Sequence, residues 1–112
     1  MEFDRFTLVF LITNPLAPQR SDFEENQIQN AHMANLAKLH HSGHLIAAGP
    51  TGDLNIRGVC LFRSDVDESR ELMLADPAVA AGEFTIDAIP WYLPKGEIVS
   101  GPGRPPQSIS EI

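Results

Sequence analysis

The chain has 112 residues, a formal net charge of −7 and one cysteine. This length fits one domain that can bury a core, and a ligand pocket is expected at an edge or between subunits. The acidic balance, without a Lys/Arg cluster, argues against nucleic-acid binding. A lone cysteine excludes an intrachain disulfide, and no apolar run is long enough to span a bilayer. The acidic start Met1–Arg5 has the wrong charge for a signal peptide, so we expect a cytoplasmic protein.

Apolar runs, capping signatures and breakers predict six elements. They are, in chain order, a strand at 7–12, a helix from about 21 to 42, strands at 45–48 and 56–63, a helix from about 64 to 75 and a strand at 83–89. Ser21 followed by Glu24 is a capping box that starts the first helix, and Gly43 suits its C′ position. Pro90 ends the last strand or marks an edge strand.

The order β-α-β-β-α-β predicts an α+β fold. It corresponds to the ferredoxin-like plan, with a four-stranded antiparallel sheet and two helices on one face. The other sheet face then needs a cover, which favours a homodimer in which two sheets pack face to face. We assign this domain to residues 1–93. Residues 94–112 are rich in Pro, Gly and Ser, and we interpret them as a tail that crosses a partner subunit or stays mobile.

His32 and Asp76 are the candidate catalytic residues. His32 falls on the apolar stripe of the first helix with Ile28, Leu36 and Leu39. An imidazole buried without a partner costs about 1–3 kcal/mol, so this one needs a partner or a cavity. Asp76 ends the second helix directly before a proline, and two helices lying side by side would bring the pair together as a general acid–base device. The alternatives are an inert core histidine and a simple helix stop.

Four residues are candidates for binding a small-molecule substrate. Gly49 and Pro50 form a turn after a strand, and such turns often line pockets. Arg57 and Trp91 complete the set.

Histidines at 40, 41 and 44 could form a metal cluster with the histidine at 32. However, adjacent residues on a helix point about 100° apart, and no carboxylate lies at ligand spacing. We therefore expect no metal site and no cofactor.

An ordered set of motifs resembles the YCII-related domain family. The matching pieces are His32 with Leu36 and Leu39, Gly43-His44-Leu45, Ala48-Gly49-Pro50, the helix from Ser64 to Ala75, Asp76-Pro77, Ala81-Gly82 and Pro90-Trp91, within about residues 6–92. The resemblance implies a dimeric ferredoxin-like α+β barrel and a His–Asp pair in a cleft, which falls on His32 and Asp76. Most of the family has no assigned reaction, but a few relatives eliminate chloride from ring compounds, and the related barrel fold hosts lactone isomerases.

One position departs from the family pattern. Relatives often carry Arg three residues before the His, where this chain has Gln29. If that Arg holds an anionic substrate, this protein either prefers a less charged substrate or uses Arg57 or Arg63 in its place.

Three classes of function remain open from the sequence. The first is a lyase- or isomerase-like enzyme, or less expectedly a hydrolase, that acts on a small cyclic or aromatic acid-type substrate with the His–Asp pair. The second is a non-catalytic ligand-binding or regulatory module that uses the same cleft. The third is a structural dimerisation domain. The chain has no GxSxG motif and no phosphate loop, so acyl-enzyme and phosphoryl-transfer chemistry have no support.

Overall fold

The structure is a computed structural model that describes residues 1–112. Four strands and three α-helices carry the fold. Their bounds are β1 Phe3–Thr13, α1 Asp22–His41, β2 Leu45–Pro50, β3 Ile56–Phe62, α2 Val66–Leu74, α3 Pro77–Ala80 and β4 Phe84–Pro94, and a 3₁₀ turn follows at Ile109–Glu111. None of the helices has a stretch with the length and apolarity that crossing a bilayer needs.

One antiparallel sheet holds all four strands in the order β2-β3-β1-β4. This order and the packing of the helices on one face confirm the predicted α+β, ferredoxin-like plan. Val9 at the centre of β1 lies opposite Cys60 of β3 and Ala88 of β4, and all three side chains belong to the core between sheet and helices. Residues on either side of Val9 point to the opposite sheet face.

Helix α1 begins and ends as predicted. Ser21 accepts a hydrogen bond from the backbone N–H of Glu24, whose side chain in turn accepts from the backbone N–H of Ser21. Gly43 follows the helix with φ of +88°, a conformation that glycine adopts at little cost. The stripe that α1 turns toward the sheet is buried and includes the predicted histidine: His32, Met33, Leu36 and Leu39.

Strand β4 is longer than predicted. The prediction placed the strand at residues 83–89 and left open whether Pro90 ends it or marks an edge strand. Pairing continues through Pro90 opposite Thr7 to Pro94 opposite Phe3, so the edge-strand alternative is confirmed. β4 is an edge strand, and an edge strand tolerates proline because one side of its backbone has no ladder to break.

Asp76 does more than end the second helix. Its extended backbone, with ψ of 135°, separates α2 from a short helix α3 that the sequence analysis did not predict. Pro77 occupies the first turn of α3, where its missing N–H has no helical partner to lose. This break places Asp76 at the N-cap of α3 and turns its side chain toward α1.

The segment after β4 returns across the chain's own surface. Lys95 donates its backbone N–H to Glu2 at 3.0 Å, which fixes the turn out of β4. Further along, Pro105 is buried, and the backbone N–H of Ile109 donates to Asn30 Oδ1 of α1 at 2.8 Å. The predicted tail therefore lies against α1 of the same chain.

Candidate active site

His32 and Asp76 meet beneath α1. His32 Nδ1 lies 2.8 Å from Asp76 Oδ2, and the exposed fractions of the two side chains are 8% and 0%. His32 comes from the third turn of α1 and Asp76 from the break between α2 and α3, so 44 residues separate the partners in the chain. The packing of α3 against α1 brings them together.

Four donors surround the Asp76 carboxylate. Oδ2 accepts from the backbone N–H groups of Ala78 at 3.0 Å and Val79 at 3.4 Å as well as from His32. Oδ1 accepts from the Asn35 side-chain amide at 2.8 Å. Because the two helical N–H groups make Oδ2 an acceptor, the hydrogen between His32 and Asp76 belongs to Nδ1 of the imidazole.

The second ring nitrogen of His32, Nε2, has no hydrogen bond within the protein. Every buried side-chain nitrogen or oxygen atom in the structure has a partner, so this unpartnered Nε2 is an atom that solvent reaches. With the hydrogen on Nδ1, the Nε2 of a neutral imidazole carries a lone pair. The buried pair therefore presents one basic atom to the space beside it.

Asn35 is a site residue that the sequence analysis missed. It lies three residues after His32 on α1, a spacing that puts both side chains on one face of the helix. Its amide holds the Asp76 oxygen that His32 does not use. A polar side chain beside the apolar stripe was the available signal.

A cavity of about 320 Å³ opens beside His32. Its polar wall consists of Gln29, His32 and the guanidinium-bearing Arg57 of β3. The remaining lining residues are mainly apolar and come from all four strands, α1 and the segment after β4: Leu11, Met33, Leu36, Ala48, Gly49, Pro50, Gly58, Val59, Cys60, Phe84, Pro105, Pro106 and Ile112. A cavity of this size matches a small ring compound.

Three of the four candidate binding residues line the cavity, and the fourth does not. Gly49, Pro50 and Arg57 all line the cavity. Trp91 lies on β4 opposite Phe6, is 38% exposed and does not line the cavity. Gln29, at the position where relatives often carry Arg, is in the cavity wall.

Arg57 differs from the other five arginines because its side chain has no partner. The other five guanidinium groups contact Tyr92, Glu83, Ser100, Asp67 and Glu111. Arg63, the alternative anion holder, is the one that donates to Ser100, at 2.6 Å. In a chain with a net charge of −7, an unpaired arginine in a cavity wall is available to a ligand carboxylate, the group that its planar donor pair fits best.

Cys60 lines the same cavity without being a nucleophile. Burial, and then the negative charge of Asp76, raise the pKa of its thiol to about 12. Because the thiolate is the reactive form, this thiol is a poor nucleophile at neutral pH.

The other histidines lie away from the His32–Asp76 pair. His44 Nδ1 is 3.2 Å from Ser64 Oγ and 3.6 Å from Glu68 Oε1. Both contacts use the same ring nitrogen, which is not the arrangement of a nucleophile–base–orienter triad. No group of three or more His, Cys, Asp or Glu side chains is placed to hold a metal ion.

Residues 8–91 match the family model of the YCII-related domain. The match includes both members of the buried pair and most of the cavity wall, and it ends before the segment after β4. No curated protein matches the chain.

Proposed function

Because the chain belongs to the YCII-related domain family, we propose that it is a small-molecule enzyme in which the His32–Asp76 pair is a general acid–base device. The observation that carries the proposal is the buried hydrogen bond from His32 Nδ1 to Asp76, with Nε2 left accessible beside a cavity. A general base needs hydrogen-bond reach to the proton it removes, and Nε2 is the accessible basic atom of the pair.

In the proposed reaction, His32 Nε2 takes a proton from a carbon atom of the bound substrate. Asp76 stabilises the imidazolium that forms and keeps the ring in place. In an elimination, the electron pair of the broken C–H bond forms a double bond while a leaving group departs with its own electron pair. In an isomerisation, the imidazolium returns the proton to a different carbon. Hydrolysis by a water that Nε2 activates is the third variant.

The proposed substrate is a small cyclic or aromatic acid. Arg57 binds the carboxylate of the substrate, and the apolar side chains of the cavity wall pack against the substrate ring. Gly49 and Pro50 were expected in a turn from the sequence, but they are the last paired residues of β2, and they form the wall beside the ring. A mainly apolar pocket with a few convergent polar groups is the ordinary form of such a site.

The experiment is a ligand screen followed by a turnover assay. Small aromatic acids and lactones are titrated into the protein while the His32 ring signals are followed by NMR, and compounds that shift them are then incubated with the enzyme. We expect turnover that His32→Gln abolishes and Asp76→Asn lowers. His41→Gln, which changes an exposed histidine, is the matched control. Saturable binding without turnover would instead establish a ligand-binding module.

Binding and turnover together test the assignment of Arg57. Arg57→Gln should raise KM for a carboxylate substrate more than it lowers kcat, since it removes binding rather than the base. Arg70→Gln, on the exposed side of α2, should change neither constant. Equal KM values for the wild type and Arg57→Gln would remove Arg57 from the site.

We also propose that the protein is a homodimer formed through the open sheet face. The alternation along β1 places Leu8 and Phe10 opposite to the core. Leu8 lies between Leu61 of β3 and Ile89 of β4, and Phe10 lies between Val59 of β3 and Asp87 of β4. An apolar sheet face of this kind is expected to be covered, and a second copy presents the same surface. Sedimentation equilibrium at micromolar concentration should give twice the mass of the chain, and a monomer would refute this.

A further inference from the structure

The wall of the His32 cavity includes residues beyond the part of the chain that matches the family. Pro105 and Pro106 line it, whereas the family match ends at residue 91. These residues belong to the segment 98–112, which we name the strap. The same two prolines and Ala48 also line a second groove, which includes Ile46 of β2 and lies on the other side of the strap. The strap therefore forms the partition between the cavity and the outer surface of β2.

Few bonds hold the strap to the rest of the chain. Ser100 accepts from Arg63 at 2.6 Å, and the backbone N–H of Ile109 donates to Asn30 at 2.8 Å. Its backbone–backbone hydrogen bonds join residues of the strap only, and none extends the ladder of the edge strand β2. A segment with so few bonds to its support opens at low free-energy cost.

Three residues of the strap line the cavity, Pro105, Pro106 and Ile112, and of these Ile112 is largely exposed. Pro105 is the one residue of the strap that is buried. A proline ring is rigid and its backbone φ is fixed, so its position defines a boundary more sharply than a flexible side chain does. A rigid proline in the cavity wall therefore limits the size of the ligand that fits.

We propose that the strap closes the cavity over His32 and that Pro105 and Pro106 set the largest ligand that the cavity accepts. This inference rests on the proposed function for its biological meaning, because the cavity is the same. Ligands enter when the strap detaches from Asn30, and ligands longer than the closed cavity are excluded when it docks again. The two prolines are thus specificity-determining residues.

Cys60 provides a test that needs neither ligand nor turnover. It is the chain's single cysteine, it is buried, and it lines the cavity. The experiment measures how fast this thiol reacts with a small reagent, methyl methanethiosulfonate, and with a bulky aromatic one, 5,5′-dithiobis(2-nitrobenzoate). The readout is the ratio of the rate with the bulky reagent to the rate with the small reagent, measured on the full chain at one alkaline pH, because raising the pH increases the reactive thiolate fraction of a thiol with a pKa of about 12.

Two pairs of matched variants decide the outcome. Asn30→Ala removes one hydrogen bond from the strap and should raise the ratio about fivefold, the equivalent of about 1 kcal/mol. Asn26→Ala, one turn earlier on the exposed side of α1, should leave it unchanged. The double change Pro105→Gly and Pro106→Gly should also raise the ratio, while Pro102→Gly at an exposed position of the strap should not.

Circular dichroism checks that each variant is folded. If Asn30→Ala does not fold, the proline variants alone test the proposal. A ratio that stays at the wild-type value in the folded strap variants overturns the proposal. So does a ratio that rises equally in Asn26→Ala and Pro102→Gly. The outcome does not depend on catalysis. A raised ratio in a protein that shows no turnover would support the proposal for the strap and reject the proposed enzymatic function.

Discussion

The replacement of Asp76 is the perturbation whose result the structure specifies in most detail. The carboxylate is 0% exposed and accepts from four donors, three of them on Oδ2. Asp76→Ala removes the N-cap of α3, worth about 1 kcal/mol. It also leaves His32 and Asn35 facing a gap. Breaking a buried pair in this way costs about 3–5 kcal/mol in total.

Asp76→Asn should be much milder because its geometry can be kept. The amide oxygen takes the place of Oδ2, where the N–H groups of Ala78 and Val79 hold it, and it still accepts from His32. The amide NH₂ takes the place of Oδ1, and the Asn35 amide turns over so that its oxygen accepts. The variant loses the charge but no hydrogen bond, so we expect a cost of about 1–2 kcal/mol.

Urea unfolding measures both variants, with the fluorescence of Trp91 as the signal because it is the single tryptophan. Asp67→Ala, at an aspartate whose side chain is 96% exposed, is the control and should leave the midpoint unchanged. Equal midpoints for Asp76→Ala and Asp76→Asn would refute the hydrogen-bond network described for this carboxylate.

Three further results are expected. Ser21→Ala should lower the free energy of unfolding by about 1 kcal/mol in the same urea assay, because it removes the capping box of α1. Gly58→Ala should also destabilise the fold, by about 1 kcal/mol, since its new Cβ would lie 3.2 Å from Leu11 Cδ1, and a thermal melt checks this. The pKa of Asp53 is held below its ordinary value of 3.8 by backbone N–H donors from Ile56 and Asn55. The carboxylate therefore stabilises the turn fully above pH 3.8, and the turn loosens as pH falls through the lowered pKa. The protection factors of those two amides, their exchange rates relative to an unstructured peptide at the same pH, should fall in acid; unchanged protection factors would contradict this.

Local patterns in the sequence predicted most of the fold because each element carries its own signal. The capping box fixed the start of α1, and the positive-φ position after it demanded Gly43. The features that the sequence left undecided depend on the position of an element in the sheet. The sequence left two alternatives for Pro90, the end of β4 or an edge strand, because tolerance of a proline depends on the position of the strand in the sheet; the edge alternative holds, and β4 extends to Pro94.

The candidate site was predictable in its two principal residues and less so around them. His32 on an apolar stripe indicated a need for a partner, and the Asp76-Pro77 step indicated a chain break, but α3 itself was missed. An aspartate followed by proline is also a helix start, with the cap and the first-turn residue in order. The place of Pro105 could not be predicted, because the segment around it has no apolar periodicity to indicate what it packs against.

The central claim is that Asp76 fixes the hydrogen of a neutral His32 on Nδ1 and leaves the Nε2 lone pair facing the cavity. The most direct measurement is a long-range ¹H–¹⁵N correlation spectrum of the histidine rings, recorded at a pH where the imidazole is neutral, with His32→Gln used to assign the signals. We expect the His32 pattern to be that of the Nδ1–H form, in the wild type and in Asp76→Asn alike. A wild-type spectrum with the hydrogen on Nε2 would mean that no basic atom faces the cavity, and it would contradict the proposed acid–base function.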